Sequence, residues 1–221
     1  MSTPDRSSAM ALDTDAGVGA SGSGSGSDAL GQAIAVTAET AVADTRRWLE
    51  RAVIGLNLCP FAKAVHAKGQ IHHAVHLAEA DDAGLMDRLL AEAHALAALP
   101  ASERDTTLLI APRALADFLD FNDFTARAER RLSRAGFDGT LQLASFHPRF
   151  QFAGTEADDI GNATNRAPFP TLHLLREASI DRAVEAFPEA EAIFERNIET
   201  LEALGVDGWA ALDVGPGGAA R

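Results

Sequence analysis

The segment from Ser145 to Glu177 interleaves two histidines, three arginines, a paired Asp-Asp and two asparagines with phenylalanines and prolines. Side chains of these types suit proton transfer, anion binding and metal ligation. Solvated loops rarely hold so many large apolar residues, and packed strands rarely hold so many polar ones. A segment with both is expected to fold over the body of the domain with its polar groups converging inward. His147 follows an expected strand and lies between Phe146 and Pro148, at the kind of strand end where α/β sites gather. As a general base it would need a partner to orient one ring nitrogen, and Asp158 or Asp159 could supply it after a turn at Gly154. The bland alternative is a histidine bonded to a loop carbonyl.

Cys59 precedes Pro60, a residue favoured in the first turn of a helix. A thiol there would lie near free amides and the positive end of the helix dipole, which favour a thiolate. Cys59, His147 and Asp159 are therefore the catalytic candidates. The alternative for Cys59 is a small buried hydrophobe beside Leu58 and Phe61. Arg149, Arg166 and Arg176, with Asn165 and His173, form the candidate ligand-binding set, because guanidinium groups bind carboxylate or phosphate bidentately. Ion pairing with Asp158, Asp159 and Glu177 would account for the arginines equally well. His173 lies among leucines and reads either as a site residue or as a satisfied core histidine. Asn162 and Asn165 are expected to shape turns.

His147, His173 and Cys59 or Asp159 would make a zinc or iron site only if the fold brought them together; no short ligand spacing supports it, and no metal ligand is assigned. His72, His73 and His76 cluster in an expected strand, with His72 and His76 on one face and His73 on the other. A solvent-facing edge is the simpler reading of that cluster. No Walker loop, dinucleotide fingerprint, serine elbow or HExxH occurs, and the sequence implies no particular cofactor.

These residues need a frame. The chain has 221 residues with 47% hydrophobic content, which suits one domain with a sizeable core. Helices are expected over Glu39–Gly55, Cys59–Gly69, Ala83–Leu99, Asp123–Ala135 (beginning as early as Ala114), Ile180–Phe187 and Glu189–Leu204. Strands are expected over Ile71–Leu77, Thr106–Ala111, Thr140–Phe146 and Thr171–Leu175. The alternation predicts a single α/β domain: a small mixed sheet of about four strands with helices packed on it. Residues 1–35, with the run Gly22-Ser23-Gly24-Ser25-Gly26, predict a disordered tail, residues 36–214 the folded domain, and residues 215–221 a second frayed end.

The net charge of −13 repels phosphate backbones and anionic lipid. Nucleic-acid and membrane partners are not expected, and oligomeric state cannot be read. The first residues lack a basic patch followed by an apolar run, and there is one cysteine; both suit a reducing cytoplasm.

Several uncommon strings occur in order: GLNLCPFA from Gly55, TTLLIAP from Thr106, DFLDFNDF from Asp117, LQLASFHPRFQFAGT from Leu141, NATNRAPFP from Asn162 and LHLLREASI from Leu172. Together they resemble a family of uncharacterised bacterial proteins catalogued as domain of unknown function 1415. The likeness spans about Thr45 to Trp209. It implies one structural unit there, and no activity, cofactor or catalytic residue.

Three functions fit the residues. One is a small cytoplasmic enzyme acting on an anionic (phosphorylated or carboxylated) small molecule through a Cys/His/Arg pocket. The second is a non-catalytic small-molecule or metal-binding protein. The third is a structural or partner-binding protein whose polar segment is an internal hydrogen-bond network.

Overall fold

Thr106–Ile110 is apolar but for two threonines, and every one of its residues is buried. It becomes an inner strand of a four-stranded mixed sheet, as expected of a short apolar run with no polar face. The computed structural model describes residues 36–186 and 192–217. The expected tail at 1–35 and residues 218–221 lie outside the described residues. The strands are β1 (Ile71–Val75), β2 (Thr106–Ile110), β3 (Leu141–Phe146) and β4 (Thr171–Arg176), in the order β1-β2-β4-β3. β1 and β2 run parallel, and β4 is antiparallel to both β2 and β3. The protein is therefore one α/β domain built on a mixed open sheet.

Among the described residues six α-helices accompany the sheet: α1 (Ala38–Trp48), α2 (Ala62–Ala67), α3 (Asp82–Ala98), α4 (Phe118–Arg134), α5 (Glu177–Ala186) and α6 (Ile193–Ala211). Thr37 caps α1 through a reciprocal box with Thr40. The helix then passes into a π-helical stretch, Leu49–Ile54, so the expected first helix is realised in two geometries. The side chain of Asp117 accepts from the amides of Leu119 and Asp120 and starts α4, within the range left open for it. α6 is kinked at Gly205, whose φ of 69° only glycine adopts readily.

Strand register sorts the side chains onto two faces. On the back face Ala74, Leu109, Leu172 and Leu174 pack against Leu85, Leu89 and Leu96 of α3 and Phe121, Phe124 and Leu132 of α4. On the front face α1 and its π-helical extension cross the sheet. Ala41 packs with Val75, Ile110 and Phe169, and one and a half to two turns later Trp48 packs with Ile71 and Phe146. The ends of β1, β2 and β3 and the start of β4 share one edge of the sheet, where Val75, Ile110, Thr171 and Phe146 align. The connection 147–170, rich in polar groups, lies at that edge.

The chain end is tied down further than expected. Arg47 donates to the carbonyls of Asp213 and Gly215, and the amide of Gly217 donates to Asp44. Residues 215–217, assigned from composition to a frayed end, are thus hydrogen-bonded to α1.

Phe121 is 1% exposed and joins α4 to the back of the sheet. Phe121→Ala should cost about 3–5 kcal/mol, the range for emptying a packed aromatic site. Urea unfolding would check it, and a loss below about 1 kcal/mol would contradict this placement of the core.

Candidate functional site

The connection 147–170 directs its polar groups mostly at main-chain atoms, its own and those of residues 115, 116 and 145. His147 is 1% exposed and packs against the rings of Phe118 and Phe121 at 5.4 and 5.0 Å. Its Nε2 lies 3.0 Å from the carbonyl of Leu115, and its Nδ1 accepts from the amide of Arg149 at 3.0 Å. A carbonyl only accepts and an amide only donates, so Nε2 carries the proton and both ring nitrogens are occupied. Leu115 holds a φ of 54°, uncommon for leucine. Burial pushes the His147 pKa below the ordinary histidine value. The expectation of a general base gives way to its bland alternative, a histidine that pins a loop carbonyl.

Asn162 is fully buried at the centre of the same segment. Its Oδ1 accepts from the Phe152 amide and the Thr155 hydroxyl, and its Nδ2 donates to the Glu156 carbonyl. Asp159 accepts from the amide of Gly161 and caps the short 3-10 helix Ile160–Asn165; it makes no bond to His147. Asn165 reaches the Ser145 carbonyl at 3.4 Å.

The three arginines bind carbonyls. Arg166 donates to Phe150 and Ala157. Arg149 donates to Ala116 and, at 3.2 Å, to the Asp117 carboxylate. Arg176 lies at the opposite edge of the sheet and donates to the carbonyls of Leu96, Leu99 and Arg104, closing the C-terminal end of α3. Apart from the Asp117 contact, the hydrogen bonds go to carbonyls rather than to Asp158 or Glu177, while the Asp159 carboxylate favours the charged form of Arg166, as the pairing alternative expects.

Cys59 realises half of its expected geometry. Backbone amides of Phe61 and Ala62 approach the sulfur ahead of α2, but burial dominates and pushes the thiol pKa up. The side chain packs in the front layer with Trp48, Ile71 and Phe146. Cys59, His147 and Asp159 are not brought together. Nor do His147, Arg166 and His173 share partners: they bond in three separate places.

His173 is the exception, and it points to a different group of residues. Its Nε2 lies 2.5 Å from Thr106 Oγ1, which also contacts the Leu174 carbonyl at 2.6 Å. The carbonyl must accept, so the hydroxyl proton goes to Leu174 and Thr106 accepts from His173 Nε2. This fixes the tautomer and leaves Nδ1 as a bare acceptor. Register places His73, Leu108, His173 and Ala144 in one row across the front face. Both ring nitrogens of His73 are enclosed and neither makes a well-aligned hydrogen bond, although the Ile71 carbonyl favours the protonated ring.

α1 covers this row. Ala41 packs on Val75 and Trp48 on Ile71, so Thr45, between them on the helix, faces the strand at His73, between them on β1. Thr45 is fully buried, and its hydroxyl also lacks a partner. Arg46, exposed at the rim, opposes protonation of His73. Burial drives both His73 and His173 from 6.5 down to about 4, and each imidazole is neutral at pH 7. Thr45, His73, Thr106 and His173 thus form a polar seam inside an apolar interface. His72 and His76 turn the other way, toward Glu92 at 3.6 Å and Asp81 at 3.8 Å.

The sequence pointed to His173 but missed Thr45 and Thr106, and it set His73 aside as part of an exposed edge. No spacing links these residues, since they meet only through strand order and the crossing of α1. Among the described residues no group of three or more His, Cys, Asp or Glu is arranged to hold a metal ion. No described helix is long and apolar enough to cross a membrane. A family model described as "Protein of unknown function (DUF1415)" matches residues 40–211. No curated protein and no solved structure matches the chain.

Two outcomes follow from the burial of these groups. The half-buried Cys59 thiol should alkylate more slowly at pH 7 in the native protein than after denaturant is added, and labelling as fast in the native protein would contradict its raised pKa. Because the folded pKa of His73 and His173 (about 4) lies below the unfolded value of 6.5, the unfolded chain binds protons first as pH falls. Their contribution is complete above 6.5 and is lost down to about 4. Urea midpoints should therefore fall from pH 7 to pH 5, and less steeply in His73→Asn/His173→Asn; equal slopes would refute the assignment.

Proposed function

The chain belongs to the DUF1415 family of proteins of unknown function, and we propose that it binds a small, hydroxylated, anionic molecule at the polar seam between α1 and the sheet. The carrying observation is the His73 imidazole, whose enclosed nitrogens make no well-aligned hydrogen bond and have only the Ile71 carbonyl acting on them as an acceptor. A buried polar group without a partner costs about 1–3 kcal/mol, and the Thr45 hydroxyl beside it adds a second such cost. A ligand with matching donors and acceptors would relieve both.

The chemistry of the seam narrows the ligand. The bare Nδ1 of His173 calls for a donor, such as a hydroxyl. Neutral His73 supplies one donor and one acceptor, and Thr45 supplies either. Arg46 at the rim adds positive charge suited to a carboxylate or phosphate. A hydroxy acid or a small phosphorylated alcohol meets all of these requirements.

Binding is favoured over catalysis. A base held near 4 is already neutral at pH 7 and removes protons weakly, whereas an effective general base is tuned toward the working pH. The half-buried Cys59 thiol, with its pKa pushed up, and the occupied ring of His147 likewise supply no nucleophile–base pair. The connection 147–170 acts as scaffold in this reading, consistent with its bonds to main-chain atoms.

A thermal-shift screen of hydroxylated carboxylates and phosphates tests the proposal. A ligand at about 100 times its Kd should stabilise by about 2.7 kcal/mol, a rise of roughly 5 °C or more for a domain of this size. His73→Ala and His173→Gln should remove the shift while leaving the protein folded. A flat screen, or a shift that both variants retain, would overturn the reading.

A further inference from the structure

The strongest feature outside the seam is a row of cations on α4. Arg127, Arg130, Arg131 and Arg134 recur three or four residues apart, so they share one face of the helix. All four are exposed. Arg127 pairs with Asp82 at 2.6 Å, but Arg130, Arg131 and Arg134 make no ion pair among the described residues. Like charges at these spacings repel, and the chain has 32 acidic residues from which partners could have been drawn. Favourable interaction with the helix dipole accounts for Arg131 and Arg134 in the last turn, but not for Arg127 and Arg130 before it.

The row borders a groove of about 480 Å³, to which Ala83 and Met86 of α3 contribute. A nucleic acid is a poor fit to it: the chain carries −13 overall, and the residues around the groove include no aromatic ring on which a base could stack. An acidic protein surface with an apolar neighbour fits better.

Such a surface is present on α6. Glu195, Glu199 and Glu202 recur four and three residues apart, are exposed, and make no ion pair among the described residues. From first to last they span seven residues, as Arg127 to Arg134 do, so each stripe is about 10 Å long at 1.5 Å per residue. Phe194, adjacent to the acidic stripe, packs edge-on against Phe152 and leaves 48% of its surface exposed, an apolar group for the groove lined by Met86, Ala83 and Asp82.

We propose that α4 of one copy of this chain docks on α6 of a second copy, the arginine row against the glutamate stripe. The two surfaces are unlike, so a twofold arrangement makes the contact twice, and an open one extends it into a chain. Net repulsion between copies is screened beyond about 8 Å at physiological salt, so the matched stripes act at close range.

Light scattering coupled to size exclusion, on the full chain at physiological salt, tests this by charge exchange. The unaltered protein should self-associate with rising concentration. Arg130→Glu/Arg134→Glu should be monomeric, as should Glu199→Lys/Glu202→Lys, each with unchanged circular dichroism. Mixing the two reversed proteins, or combining all four changes in one chain, should restore association, an outcome that misfolding cannot produce. The proposal is overturned by a monomeric unaltered protein, including one whose arginine row instead retains an acidic peptide or a nucleic acid. It is equally overturned by association that survives reversal, or by exchange that fails to restore it.

Discussion

The connection between β3 and β4 must satisfy its own backbone, and much of the polar content of this protein follows from that requirement. β4 lies between β2 and β3, and residues 147–170 cover the sheet edge before the chain re-enters it. Carbonyls and amides held there away from water need partners, because an orphaned backbone group costs as much as a lost hydrogen bond. Asn162 engages Phe152, Thr155 and Glu156, Arg166 spans Phe150 to Ala157, and His147 joins Leu115 to Arg149. Phe150 seats the segment on Phe118 of α4, and Phe152 packs on Phe194 of α6. A stretch that looks functional by composition makes most of its described hydrogen bonds to main-chain atoms.

The polar seam on the front face obeys the opposite logic. Its neighbours are apolar: Ala41, Trp48, Ile71, Val75 and Ile110. Apolar residues at Thr45 and His73 would extend that packing without stranding any polar atom. The seam instead keeps a hydroxyl without a partner and an imidazole with no well-aligned hydrogen bond, next to a histidine whose tautomer Thr106 fixes. Thr107 and His76 also hold a buried polar atom without a partner, but on the other face of the sheet, so the seam is distinguished by having two such residues under one helix.

Much of the frame was legible in the sequence. The inner strand Thr106–Ile110 announced itself as a short apolar run, and Gly69 and Gly136 marked helix ends that the structure realises with φ of 68° and 85°. β1 was read two residues long, because Leu77 continues the alternation after pairing with β2 has ended. The candidate site was legible only at His173. The catalytic set was drawn from residues close in sequence, Cys59 apart, and in the fold their hydrogen bonds turn to nearby carbonyls and amides.

Residue periodicity by itself determined the elements, their faces and the architecture, because local spacing decides which side chains a helix or strand presents together. The tertiary structure alone decided which of those faces meet. His73 and His173 are a hundred residues apart and share a row only because β4 inserts beside β2, and Thr45 reaches them only because α1 crosses that row. Strand order and helix crossing are set by packing of the whole chain, and no spacing along the sequence encodes them one residue at a time.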